Sequence, residues 1–236
     1  MSVASALPAA TADGAAVTAP TRTGTYGEAY VLPVSSKESA VEGSWFVAVT
    51  GTPRTGIIGH AAPTTFDETK AYLLVYNGGT KNVIMHSISM LDTAVSVGDT
   101  QTGFTMTGDV GNLFSSGGTA MTVNNTNLGS TNKATGVVIT CGAVVCSAAT
   151  SARAILGDYV FRGANVDVVW DQFEFVFGGV SNTPPTTPTP TTLAAHFTRN
   201  VAPLVIPPGF CFKLHQWAGS QSTGPTFQTI VSFQYR

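Results

Sequence analysis

A chain of 236 residues is long enough for one large β domain or two small ones. Only 10% of it is charged, and eleven Lys and Arg against thirteen Asp and Glu leave a net −2, which provides no basic stripe to track a phosphate backbone and argues against a nucleic-acid partner. The exterior must then be made of Ser, Thr, Asn, Gln and Gly, a surface that gives up its water easily and so suits protein contacts.

No apolar run of about 18 residues occurs, so no transmembrane helix and no membrane partner are expected. Met1-Ser2-Val3-Ala4-Ser5 lacks a basic stretch followed by an apolar one, and no signal peptide is read there. Three cysteines, Cys141, Cys146 and Cys211, are too few and odd in number for a disulfide framework. They are expected to be free thiols packed as small apolar groups, in a chain made in a reducing cytoplasm.

Residues 1–25 are rich in Ala, Thr, Pro and Gly without a sustained period, and read as an extended N-terminal arm before a domain spanning 26–236. Ala71 to Tyr76 is a short apolar run ending in the turn signal Asn77-Gly78-Gly79. From Asn82 to Leu91 the alternation places Ile84, His86, Ile88 and Met90 on one face and Val83, Met85 and Leu91 on the other, a strand covered on both sides. Phe104 and Met106 alternate with Thr105 and Thr107; Met121 and Val123 precede the polar Asn124 to Asn127. Ala134 to Cys146 reads as a strand with a bulge at Gly142.

Thr150 to Leu156 is the best helical segment, two turns at most. Phe173, Phe175 and Phe177 share one strand face. Ser181 to Thr192 is almost entirely Ser, Asn, Thr and Pro, an exposed loop. Pro207-Pro208-Gly209 turns the chain into a strand with Phe210, Phe212 and Leu214 facing one way and Cys211, Lys213, His215 and Trp217 the other. Finally Phe227, Thr229, Val231, Phe233 and Tyr235 alternate with Gln228, Ser232 and Gln234, a half-buried strand placed within a sheet. Many short strands between Gly, Pro and Asn turns predict an all-β fold, a jelly-roll β-sandwich.

The residues that carry chemistry elsewhere are not arranged for it in sequence. His60, His86, His196 and His215 have no metal-ligand spacing, no cysteine pair is of the CxxC form, and no metal or cofactor is expected. No GxSxG elbow and no phosphate-cradling glycine loop occurs, although a Ser-His-Asp site is defined by geometry and not by spacing. Asp167 and Asp171 on one strand face would stand about 13 Å apart, too far for either glycosidase geometry. Asn124-Asn125-Thr126 matches a glycosylation acceptor, which carries little weight without a secretion signal. Trp45, Trp170 and Trp217, with Tyr26 and Tyr30, are read as core aromatics in preference to a sugar-stacking platform. The expectation is a protein that is not an enzyme.

Two stretches resemble phage virion proteins. Ala202 to Trp217, with its apolar Ile206-Pro207-Pro208-Gly209 turn leading into a strand and followed by one more strand over Thr226 to Tyr235, resembles their closing element. The paired strands around Asn77-Gly78-Gly79, continuing through Lys81-Asn82-Val83-Ile84-Met85, are similar to a strand pair in the same proteins. Together they span about the last two-thirds of the chain. The resemblance implies a jelly roll like that of the tumour necrosis factor class. It also implies a homotrimer that decorates or cements a capsid by binding the major capsid protein, and hence a location on the virion surface. The alternative is a tail-fibre or receptor-binding module for host glycans, for which no repetitive shaft lies upstream. The last two strands carry apolar groups on their outward sides, and His215, Trp217 and Ile230 are the expected oligomer contact.

Overall fold

The computed structural model describes residues 22–23, 29–30, 36–61, 64–94, 102–162, 168–179, 196–217 and 223–236. In chain order its strands are β1 (Arg22–Thr23), β2 (Ala29–Tyr30), β3 (Trp45–Val49), β4 (Ile57–Ile58), β5 (Lys70–Asn77), β6 (Val83–Ala94), β7 (Thr102–Val110) and β8 (Phe114–Ala120). They continue as β9 (Thr122–Asn125), β10 (Val137–Cys146), β11 (Ala154–Arg162), β12 (Gln172–Phe177), β13 (His196–Val201), β14 (Leu204–Ile206), β15 (Phe210–Trp217) and β16 (Thr226–Tyr235). Among the described residues the one helix is the short α1 (Ser36–Val41), which precedes β3. Among the described residues β1 and β2, which lie before and after the position where the arm was expected to end, pair with each other. Most of that arm and the loop expected over Ser181 to Thr192 lie outside the described residues.

The all-β sandwich expected from the sequence is present. A six-stranded front sheet runs β11-β7-β15-β5-β10-β8. A back sheet runs β13-β12-β6-β16-β3-β9, with β14 paired to β6 and β4 to β16. Between them lies one apolar core, because period-two strands can bury a face only against another sheet. Phe173, Phe175, Phe227, Val231 and Phe233 come from the back sheet and Leu73, Val75, Phe104, Phe212 and Leu214 from the front, all at 1% exposure or less. Phe104 packs on Phe173 and Phe175 with centroids at 5.5 and 5.6 Å. The buried Tyr72 hydroxyl donates to the Phe227 carbonyl and meets the Thr229 hydroxyl, so the core keeps no orphaned phenol there.

Asn77, fully buried, shows why its turn holds. Its Nδ2 donates to the carbonyls of Lys81 and Ile206, and its Oδ1 accepts from Gly79 N–H. The bulge expected at Gly142 is observed: the register of β10 shifts between Cys141 and Val144, and Gly142 has φ +99°.

Three expectations are corrected. Trp45, Trp170 and Trp217 are not core aromatics: Trp45 and Trp217 are half-buried and Trp170 is 48% exposed, because the inward positions are filled by Phe, Leu, Ile, Val and Met. β6 does not keep Ile84, His86, Ile88 and Met90 on one face. Its register with β16 passes from Met85 to Ser87 between consecutive partners, so His86 is an extra residue that flips the alternation. Val83 and Met85 before it, and Ile88 and Met90 after it, all point into the core. The segment from Thr150 to Leu156 is not a helix: it ends a loop and enters β11, where pairing with β7 outweighs a weak local preference.

Candidate interaction surface

The sandwich has two outward faces, and the chain finishes them differently. Over the front sheet a second apolar cluster of Ala71, Leu74, Leu113, Val144, Cys146 and Cys211 is packed within the chain. This is why β5 is buried on both sides. Asp109 fastens the loop before β11 to this face. Its carboxylate accepts the N–H and hydroxyl of Thr150 and the N–H of Val110, which together hold its pKa below the ordinary value although burial opposes them. Lys213, pointing out from β15, is fully buried under this cover, and its Nζ has no hydrogen-bond partner.

His215 lies in the same layer at 1% exposure. Its Nδ1 donates to the Lys70 carbonyl at 3.0 Å, which leaves Nε2 to accept from the Thr107 hydroxyl at 3.1 Å, and the Phe66 ring packs edge-on at 5.1 Å. Burial, aided by the Lys213 ammonium and opposed by the hydrogen bond to Lys70, lowers its pKa to about 4. The expected contact residue His215 is therefore enclosed by its own chain and offers no surface to a partner. Trp217, at the end of the same strand, is half-buried and its indole N–H donates to the Thr105 hydroxyl at 2.9 Å.

Ile230 belongs to the other sheet. It points outward from β16 and is 40% exposed. The three residues expected to form one contact thus do not come together: His215 and Trp217 face out from the front sheet and Ile230 from the back. Cross-strand register places Val47, Ser232, Ser87 and Val176 in one outward row and Val49, Ile230, Ser89 and Glu174 in the next. Its polar groups largely have partners within the chain. Trp45 Nε1 donates to Ser232 Oγ at 2.8 Å, Gln172 Nε2 to Ser89 Oγ at 2.9 Å, and Gln228 Oε1 accepts from Arg54 N–H at 2.8 Å. Glu174, at the margin, meets His196 Nε2 at 3.1 Å. Trp45 stacks on His86 with centroids 4.0 Å apart. These back-sheet rows were missed in the sequence because Val47, Ser87 and Ser232 come from strands distant in the chain.

The residues with catalytic potential are scattered. His60 meets the Val144 carbonyl, His86 the Trp45 ring, His196 the Glu174 carboxylate and His215 the interior of the front sheet. Asp171 is buried and accepts from Val168 N–H, while Asp167 lies outside the described residues. Among the described residues no group of three His, Cys, Asp or Glu is placed to hold a metal ion. All three cysteines are free and buried. Desolvation pushes the Cys141 thiol up to about 12 and the Cys211 thiol up to about 11, and thiols held protonated are poor nucleophiles. A cleft of about 170 Å³ is lined by Leu156, Leu204 and Phe210, and a larger one of about 530 Å³ by Val123, Asn125 and Lys133.

Comparison with protein families, curated proteins and solved structures finds no match to this chain.

Proposed function

We propose that the chain is a structural protein of a virus particle, a decoration or cement protein that binds the major capsid protein as a homo-oligomer, a trimer by resemblance. Its sandwich is read as a jelly roll. The order β3-β16-β6-β12 facing β5-β15-β7-β11 supports that reading, because these eight strands, with β8–β10 set aside as an insertion that extends both sheets, alternate between the sheets in chain order except at the β7–β11 pair. The observation that carries the function is the outward face of the back sheet, where apolar and hydrogen-bonded polar side chains form a broad surface with little charge. Such a face loses little solvation when covered, which is what a protein that works by contact requires. The segments that resemble phage virion proteins supply β5, the start of β6, β14, β15 and β16, and all of these but β14 sit inside their sheets.

The test is direct. An antibody against the chain should label the shell of virus particles purified from the source of this sequence, as seen by electron microscopy. Labelling confined to a tail tip would replace the proposal with receptor binding, and unlabelled particles would reject both.

A further inference from the structure

We infer that the outward face of the back sheet packs against the same face of a second copy of this chain; the inference rests on the homo-oligomeric part of the proposed function. Four observations lead to it. The central outward positions of β3, β16 and β6, namely Val47, Val49, Ile230, Ser232, Ser87 and Ser89, carry no charge. The hydroxyls of Ser232 and Ser89 already accept hydrogen bonds from Trp45 and Gln172, so covering them leaves few polar groups unsatisfied. The chain buries the outward side of the central front strands β5 and β15 by itself, to the point of enclosing Lys213 and His215, yet leaves Ile230, on the central back strand β16, at 40% exposure. Lastly, β9, β3, β16 and β6 lie side by side. At ~4.8 Å between strands and ~6.8 Å between outward rows they offer a patch of roughly 20 by 27 Å, which in a pair reaches the ~1,000 Å² a specific contact needs.

The choice of a second copy follows from charge. A partner presenting Lys, Arg, Asp or Glu would strand those groups against β9, β3, β16 and β6, whose outward positions hold none to answer them, Glu174 standing apart on β12 beside His196. A copy of the same four strands brings none. The serines let two sheets approach to the ~10 Å of ordinary sheet packing, with valine and isoleucine filling the space beside them. Face-to-face packing has two-fold symmetry, so it joins copies in pairs, either two single chains or two trimers.

Native mass and sedimentation of the full chain at up to ~100 µM test the proposal. Wild type should show an even multiple of the chain mass. Ile230→Lys should raise the dissociation constant at least ~10-fold with an unchanged circular dichroism spectrum. Leu128→Lys, at a position 97% exposed, should behave as wild type. Should the lysine variant not fold, Ile230→Thr, neutral and still β-branched, takes its place with the same expected direction. A trimer mass, or unchanged association in the folded Ile230 variant, would overturn this contact and leave the homo-oligomer standing. A wild-type monomer at ~100 µM would overturn the contact and the homo-oligomer together.

Discussion

His215 and Lys213 are neighbours on the outward side of one strand, and enclosure acts on them differently. An unfolded imidazole titrates near 6.5, whereas folded His215 titrates at about 4. Between those values the unfolded chain binds more protons than the folded one. The stability that neutral His215 provides is therefore complete above about pH 6.5 and is lost as the pH falls toward 4. His86, whose pKa is also lowered by burial, adds to the same trend. Urea unfolding at pH 7 and 4.5 should show that wild type loses about 2 kcal/mol more than His215→Gln on acidification, and equal losses would refute the assignment. Lys213 buries an ammonium without a hydrogen-bond partner. Lys213→Met keeps the packed stem but removes the charge that helps hold the buried Asp109 carboxylate's pKa down, so its thermal midpoint should fall, though by less than that of Lys213→Ala. Lys213→Ala opens a cavity and should cost about 2–4 kcal/mol. A methionine variant as unstable as the alanine one would show that the charge outweighs the packed stem.

At the scale of elements, two glycines with positive φ separate backbone strain from crowding. Gly209 ends the Pro207-Pro208 turn with φ +80° and open space where a Cβ would go. Gly142 has φ +99°, and a Cβ there would lie 2.5 Å from Ile57 Cγ2. Gly209→Ala should cost about 1 kcal/mol from the left-handed conformation alone. Gly142→Ala should cost more than ~2 kcal/mol, because β4 must also move. Similar losses in denaturant titrations would mean that the bulge can relax. Both glycines were legible in the sequence, one as a turn and one as a bulge. The bulge at His86 was not: no glycine marks it, and only the pairing with β16 reveals the extra residue. β8 was equally hidden, since Phe114–Ala120 is exposed throughout and has no buried face to produce a period.

For the molecule as a whole, the question is which outward residues serve the fold and which serve a contact. Trp217 is tied to Thr105 in its own chain, so Trp217→Ala should lower thermal stability by on the order of 2 kcal/mol while the native mass stays unchanged. Dissociation of an oligomer at unchanged stability would return Trp217 to a subunit contact. The sequence by itself determined the all-β class, the inward faces of β12, β15 and β16, and the turns at Asn77 and Pro207, because each depends on local periodicity or local backbone chemistry. Only the tertiary structure decided what lies beyond the outward faces. His215 and Ile230 look alike in the sequence, each on the outward side of a core strand. One is sealed under Phe66 and its neighbours and the other stays open, since a period of two tells which side of a strand a residue takes but not what the rest of the chain lays over that side.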